Sequence, residues 1–149
     1  MPTIHFSETM TATPERFIAA LTDFGPGRSQ VWGNSADSFL KVHDRGATEA
    51  DVTEGSAGVW ERLHYNWSDP SRVVLKTTDS NVWSDDSGWT YSLSPQPDGT
   101  TRVDVVAVRE GKNLKGRGLA LALDAGGKHL LEKRFGQTIK AIDARGDHT

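Results

Sequence analysis

The sequence contains no cysteine, and this absence excludes several kinds of chemistry. A chain without thiols has no disulfide framework, no thiol nucleophile and no cysteine ligand for zinc. Long apolar runs are also missing. The longest run, from Leu119 to Leu123, is far shorter than the roughly 20 residues of a membrane-spanning helix. We therefore predict no stable insertion into a membrane.

An excess of positive charge is missing as well. Seventeen Lys and Arg residues stand against 20 Asp and Glu residues, which gives a net charge of −3. Proteins that bind nucleic acids usually carry a basic surface, so we predict no nucleic-acid partner. The first residues show neither the charged nor the apolar region of a secretory signal, and we expect a cytoplasmic protein. A chain of 149 residues is long enough for one domain with a hydrophobic core, and we predict one domain over 1–149.

The hydrophobic pattern separates strands from helices along the chain. Thr13 and Pro14 are typical of a helix start, and Gly25-Pro-Gly27 ends that short helix, after which one more helical turn fits before Gly33. From about Asn113, apolar residues at three- or four-residue spacing predict one long amphipathic helix. Alternating apolar and polar residues predict strands at 3–10, 38–44, 47–53, 59–67, 73–78, 89–93 and 102–110. This order favours an α+β fold, in which an antiparallel sheet is covered on one face by the long helix.

Four glycines interrupt the predicted C-terminal helix, namely Gly116, Gly118, Gly126 and Gly127. Each costs up to about 1 kcal/mol relative to alanine inside a helix. Close packing of the helix backbone on the strands would offset this cost. Alternatively, small residues opposite aromatic side chains leave a void. We predict a mixture of the two, with a lean toward a cavity.

A candidate ligand site follows from the residues expected on the inner face of the sheet and on the facing helix. Ligand pockets are mostly apolar and contain a few polar groups. The candidate ligand-binding residues are Trp32, Leu40, Leu63, Tyr65, Trp67, Leu75, Trp83, Trp89, Tyr91, Val105, Leu123 and Leu131.

Glu61, Tyr65 and Arg109 are weak catalytic candidates in the same register. A buried carboxylate can act as a general base, and Tyr or Arg can stabilise an enolate. Alternatively, Glu61 and Arg109 have no role in the cavity: Glu61 is exposed to water where the end of its strand separates from its neighbours, and Arg109 lies at the edge of the sheet. We favour this alternative. The histidines show no metal-ligand spacing, so we expect no metal, and nothing in the sequence indicates a cofactor.

Several segments resemble the START-related superfamily, which includes Bet v 1-like proteins and bacterial polyketide cyclase/dehydrase-like members, together called SRPBCC proteins. They are Pro14-Glu-Arg-Phe-Ile after an alternating strand, the strand-rich middle, and Gly127-Lys-His-Leu-Leu131 in the last helix. The resemblance extends from Thr3 to about Ala144. It implies a helix-grip fold, in which a curved seven-stranded antiparallel sheet wraps around a long C-terminal helix, with one or two short helices after the first strand. It also implies a hydrophobic cavity whose mouth lies near 54–58, 80–88 and 111–116.

The implied mouth places Trp83 in a polar loop at its edge. This side chain is either a lid over an apolar ligand or a residue that packs onto the edge of the domain, and both interpretations stay open. Trp60 and His64 fall on the opposite face of their strand and are expected to be exposed. The basic residues before the last helix can hold an anionic group or a membrane surface, although a solvated edge is favoured; they are Arg109, Lys112, Lys115 and Arg117.

Three hypotheses of function follow, and the resemblance implies the first two of them. The first is non-enzymatic binding or transport of a small hydrophobic molecule, such as a lipid, a fatty acid or a polyketide-like compound. The second is an enzyme of the cyclase, aromatase or dehydrase type that uses polar cavity residues. The third is an interaction module whose cavity is filled by its own side chains. We favour the first, while the sequence leaves the ligand and the oligomeric state open.

Overall fold

The computed structural model of the protein describes residues 3–33 and 35–146. Its strands are β1 (Thr3–Met10), β2 (Lys41–Arg45), β3 (Glu49–Ser56), β4 (Val59–Asp69), β5 (Arg72–Ser80), β6 (Gly88–Pro95) and β7 (Thr101–Val108). Its helical elements are α1 (Pro14–Leu21), a 3₁₀ turn (Arg28–Gln30), α2 (Leu114–Ala122), a π-helical segment (Leu123–Gly127) and α3 (Lys128–Gly146). The predicted α+β, helix-grip arrangement of seven strands and a long C-terminal helix is confirmed.

The strands form one antiparallel sheet in the order β1-β7-β6-β5-β4-β3-β2. Because β1 and β2 lie at opposite edges, the segment that joins them, with α1 and the 3₁₀ turn, crosses one face of the sheet. The pairing of β4 with β5 shifts register twice, between Arg62 and Leu63 and between Asn66 and Asp69. Such bulges bend a strand and increase its twist, so they help the sheet to curve.

The start of α1 is held by the cap that the sequence predicts and by a contact from α3 that it does not predict. The Thr13 hydroxyl accepts a hydrogen bond from the Arg16 amide at the start of α1, and Pro14 occupies the first helical position. The Asp143 carboxylate of α3 accepts hydrogen bonds from the Thr11 and Ala12 amides just before α1. These contacts fix α1 and the end of β1 against the C-terminal helix.

The C-terminal helix is interrupted, whereas the sequence predicts one continuous helix. Gly126 has φ +149°, which is not helical, inside the π-helical segment. Beyond it, α3 packs Phe135, Ile139 and Ile142 into the main core. Before it, α2 contributes Ala120 to a separate small cluster. The helix therefore meets the sheet near its two ends, and the irregular segment spans the space between them.

Two glycines of the C-terminal helix differ in whether close packing explains their presence. A Cβ atom on Gly116 would lie 2.0 Å from the Val82 carbonyl oxygen, so only glycine permits this approach of α2 to the loop after β5. A Cβ atom on Gly118 would meet nothing within 4 Å. Close packing therefore accounts for Gly116 but not for Gly118.

The second strand is shorter and more exposed than predicted. It begins at Lys41, because 37–39 form a turn and Leu40 links this turn to the strand, and all residues of β2 are exposed. Val42, predicted to face inward, is 45% exposed, because β2 is an edge strand whose pairing with β3 shifts register after this residue. No helix among the described residues is both long enough and apolar enough to span a bilayer.

Candidate functional site

A cavity of about 420 Å³ lies between the sheet and the irregular segment of the C-terminal helix. Its wall is formed by the inner faces of β4 to β6, the ends of β3 and β7, the 3₁₀ turn and the helix. Most of the candidate ligand-binding residues lie on this wall, namely Trp32, Leu63, Tyr65, Leu75, Trp83, Trp89, Tyr91, Leu123 and Leu131. Their role in binding stays a prediction, but the structure places them together.

Three candidates lie elsewhere, and their predicted placement at the ligand site is corrected. Leu40 links the turn at 37–39 to β2 and packs against the side of the core. Trp67 follows the second bulge of β4, where the Arg45 guanidinium lies 5.8 Å from its ring centroid. Val105 faces inward but is fully buried in the closely packed part of the core, paired with Phe6 across the sheet.

Glu61 and Arg109 form a buried ion pair on the cavity wall. The Arg109 Nη2 and Nη1 atoms donate to the two Glu61 carboxylate oxygens at 2.9 and 3.2 Å, and Arg109 Nε donates to the Val108 carbonyl oxygen. The guanidinium carbon also lies 5.0 Å from the ring centroids of both Trp83 and Trp89. The side chains are 5% and 12% exposed for Arg109 and Glu61, so the expected solvated positions of both residues are wrong.

A second buried ion pair, between Arg28 and Glu54, was missed by the sequence analysis. Arg28 Nε donates to Glu54 at 2.8 Å, and Arg28 also donates to the Asp23 carbonyl at 2.7 Å and to the Tyr65 hydroxyl at 3.1 Å. The hydroxyls of Ser35 and Tyr65 donate to the Glu54 carboxylate. One signal for Glu54 was available: in β3 it shares the inward register of Ala50 and Val52, although the strand is otherwise polar.

Burial and charge within this second cluster shift two pKa values. Burial raises the pKa of Tyr65 well above its usual value, and the adjacent Glu54 charge raises it further. Burial lowers the pKa of Arg28, but the effects of Tyr65 and Glu54 together outweigh it and raise that pKa. Arg28 therefore stays charged, and Tyr65 stays a hydrogen-bond donor at neutral pH.

The Tyr91 hydroxyl on the cavity wall has no hydrogen-bond partner among the described residues. Its side chain is buried between the rings of Phe17 and Phe135, 5.5 and 6.1 Å away. Every fully enclosed side-chain nitrogen or oxygen among the described residues has a partner, so the Tyr91 hydroxyl borders open space. Burial, chiefly, raises the pKa of Tyr91, so this hydroxyl is protonated at neutral pH.

The tryptophans near the mouth depart from the sequence-based expectations in different ways. Trp83 is 7% exposed, packs with Val82 and Ala120, and presents its ring to the cavity, so it packs onto the domain and also lines the site. Trp60, expected to be exposed, is half-buried and contributes to the cavity wall. His64 is half-buried on the other face and lies 3.2 Å from Glu49.

The basic residues before the last helix separate into two groups. Arg109 belongs to the buried pair described above, whereas Lys112, Lys115 and Arg117 are exposed, and Lys112 lies 3.7 Å from Asp79. Among the residues that the structure describes, no group of three or more histidines, aspartates and glutamates is arranged to hold a metal ion.

Comparison with known proteins finds similarity in structure only. No family model matches the sequence, and no curated protein matches it. A solved structure of TTHA0849 from Thermus thermophilus superposes with a TM-score of 0.70 at 18% identity, covering 97% of this chain and 96% of that one. A START superfamily protein from Mycobacterium smegmatis gives 0.66 at 12% identity, covering 93% and 98%.

A third structure, the Zhui aromatase/cyclase from Streptomyces sp. R1128, superposes with a TM-score of 0.69 at 9% identity, covering 97% of this chain and 94% of that chain. These identities are too low to carry over an activity, but the coverage includes nearly the whole of each chain. The protein therefore has the helix-grip fold of the START-related, Bet v 1-like superfamily.

Proposed function

We propose that the protein binds a small hydrophobic molecule in the cavity between the sheet and the C-terminal helix, as a carrier or sensor. The observation that carries this proposal is the cavity of about 420 Å³ with its mainly aromatic and leucine wall. This volume lies within the ~300–1,000 Å³ typical of small-molecule sites. An interaction module filled by its own side chains would leave no such space.

The expected affinity follows from the apolar surface that a guest would lose to the wall. A bicyclic aromatic molecule that buries about 300 Å² of apolar surface gains roughly 7 kcal/mol at ~25 cal/mol per Å². Part of this gain offsets the loss of translational and rotational freedom on association. We expect dissociation constants of about 100 micromolar or weaker for simple apolar probes.

A cyclase-type reaction is a second candidate, supported by the Arg109–Glu61 pair on the wall of an apolar cavity. Glu61 would take a proton next to a carbonyl group, and Arg109 would stabilise the enolate that forms. The test is the aldol cyclisation of 2,6-heptanedione, followed by the ultraviolet absorbance of the enone product. Turnover that Glu61→Gln abolishes would support the enzyme, and no acceleration by the wild-type protein would exclude this reaction.

The binding proposal is tested by titration with N-phenyl-1-naphthylamine, an uncharged probe whose fluorescence rises in apolar surroundings. The wild-type protein should give a saturable one-to-one curve. Leu75→Trp places a larger side chain in the cavity, because Leu75 lies on its wall and is 4% exposed. We expect this variant to weaken probe binding by roughly tenfold or more.

The matched control introduces the same residue outside the cavity. Val42→Trp changes an exposed position of the edge strand β2, so probe binding should stay within about twofold of wild type. Equal loss in both variants would indicate a general effect on the fold. No saturable binding to the wild-type protein would contradict the proposal.

A further inference from the structure

Among the described residues, four of the five charged ones on the cavity wall neutralise one another in pairs, whereas the fifth, Arg134, is exposed. Arg28 is paired with Glu54 and Arg109 is paired with Glu61, and all four residues contribute to the wall. Their formal charges sum to zero. An anionic group placed between them would therefore find no free counter-charge.

The hydrogen-bonding capacity of these pairs is also largely taken. The Glu54 carboxylate accepts from Arg28, Ser35 and Tyr65. The Glu61 carboxylate accepts from both terminal nitrogens of Arg109 and from the Thr77 hydroxyl. A guest that competed for these groups would have to break a buried ion pair, which leaves a charge without its partner.

The Tyr91 hydroxyl differs from these groups because it has no partner among the described residues. It borders open space, as shown above, and Tyr91 lies on the cavity wall. The charges that act on its pKa are those of Glu54, Arg28, Arg109 and Glu61, which belong to both ion pairs of the wall. Tyr91 therefore shares the cavity wall with both ion pairs, and its accessible hydroxyl can donate a hydrogen bond to a guest there.

We rest the following inference on the function proposed above. We infer that the cavity selects uncharged ligands that carry a carbonyl or similar oxygen. The Tyr91 hydroxyl donates the hydrogen bond that recognises this oxygen. A guest without such an oxygen leaves the hydroxyl unpaired, and a guest with an ionised carboxylate inside the cavity loses its hydration without a counter-charge. Free fatty acids are thereby disfavoured unless the carboxylate stays beside Arg134, which is exposed and contributes to the cavity wall.

The test uses three probes of one size: 2-acetylnaphthalene, 2-ethylnaphthalene and 2-naphthoate. In the wild-type protein, we expect the ketone to bind about 2- to 12-fold more tightly than the ethyl compound, which is the range of one neutral hydrogen bond. In Tyr91→Phe this ratio should fall to about one. Thr90→Val removes a hydroxyl from the opposite face of the same strand and should keep the wild-type ratio.

The carboxylate probe tests exclusion of charge. We expect 2-naphthoate to bind at least about tenfold more weakly than the ketone, or to bind only with its carboxylate beside Arg134, so that Arg134→Gln weakens it by at least about tenfold. Tight binding that Arg134→Gln leaves intact would overturn the inference.

The two proposals fail in different ways. A ketone-to-ethyl ratio near one in wild type, or one that survives in Tyr91→Phe, would overturn the inference about Tyr91 while binding of apolar probes stands. If neither neutral probe binds the wild-type protein, the proposed function itself fails and the inference fails with it. Thermal unfolding of each variant verifies that it is folded.

Discussion

Replacing Arg28 with methionine should destabilise the protein strongly, because it leaves the Glu54 carboxylate buried without its counter-charge. The two side chains are 1% and 10% exposed, and their closest atoms are 2.8 Å apart. In Arg28→Met only the hydroxyls of Ser35 and Tyr65 would still donate to the carboxylate. Removing one partner of such a pair typically costs about 3–5 kcal/mol. For a domain of this size, that corresponds to a fall in Tm of roughly 6–20 °C.

The assay is urea denaturation followed by circular dichroism, with the free energy of unfolding extrapolated to water compared between variants and the denaturant slope checked to be unchanged. The double variant Arg28→Met with Glu54→Leu removes both charges, so it should be more stable than Arg28→Met alone. The matched control is Arg62→Met, which breaks the partly exposed pair with Asp51 and should cost much less than Arg28→Met. A loss below about 1 kcal/mol in Arg28→Met would refute the reasoning, because it would mean that water reaches the Glu54 carboxylate.

Three further changes test other parts of the structure. Gly116→Ala should lower the Tm, because the new Cβ atom would lie 2.0 Å from a carbonyl oxygen of Val82, whereas Gly118→Ala has open space and should not lower it. Asp143→Ala removes the acceptor for two backbone amides and should cost about 0.5–2 kcal/mol in urea denaturation. The hydrogen bond from Ser7 is the main cause that lowers the pKa of Asp104, so the folded protein binds a proton at this carboxylate less readily than the unfolded chain does. The stability that Asp104 contributes is therefore present at neutral pH and is lost as the pH falls below about 4. Asp104→Asn should make the stability of the protein less dependent on pH in this acid range.

The strands were predictable because one face of the sheet is buried and the other is not. In β7, for example, Val103, Val105 and Ala107 are fully buried, whereas the residues between them are only partly buried. The start of α1 was predictable for a local reason, since Thr13 and Pro14 set it without help from distant residues. Both features depend on residues that lie close together in the sequence.

The parts of the site that were missed depend on residues far apart in the chain. Arg28 follows a glycine-rich segment, and its partner Glu54 lies on a strand reached only after the chain has crossed the sheet. Their pairing follows from the topology rather than from any local pattern. The break in the C-terminal helix was missed for a different reason: four glycines mark the region, and no local pattern tells which of them, here Gly126, takes a positive φ.

The most direct test of ligand binding in the cavity is a nuclear Overhauser experiment on protein labelled at its leucine methyl groups. With bound 2-acetylnaphthalene, we predict contacts between the protons of the probe and the methyl groups of Leu63, Leu75 and Leu131, which line the cavity. Contacts confined to Leu114 and Leu121, which are 85% and 70% exposed on α2, would place the probe on the outer surface. That result would contradict the account.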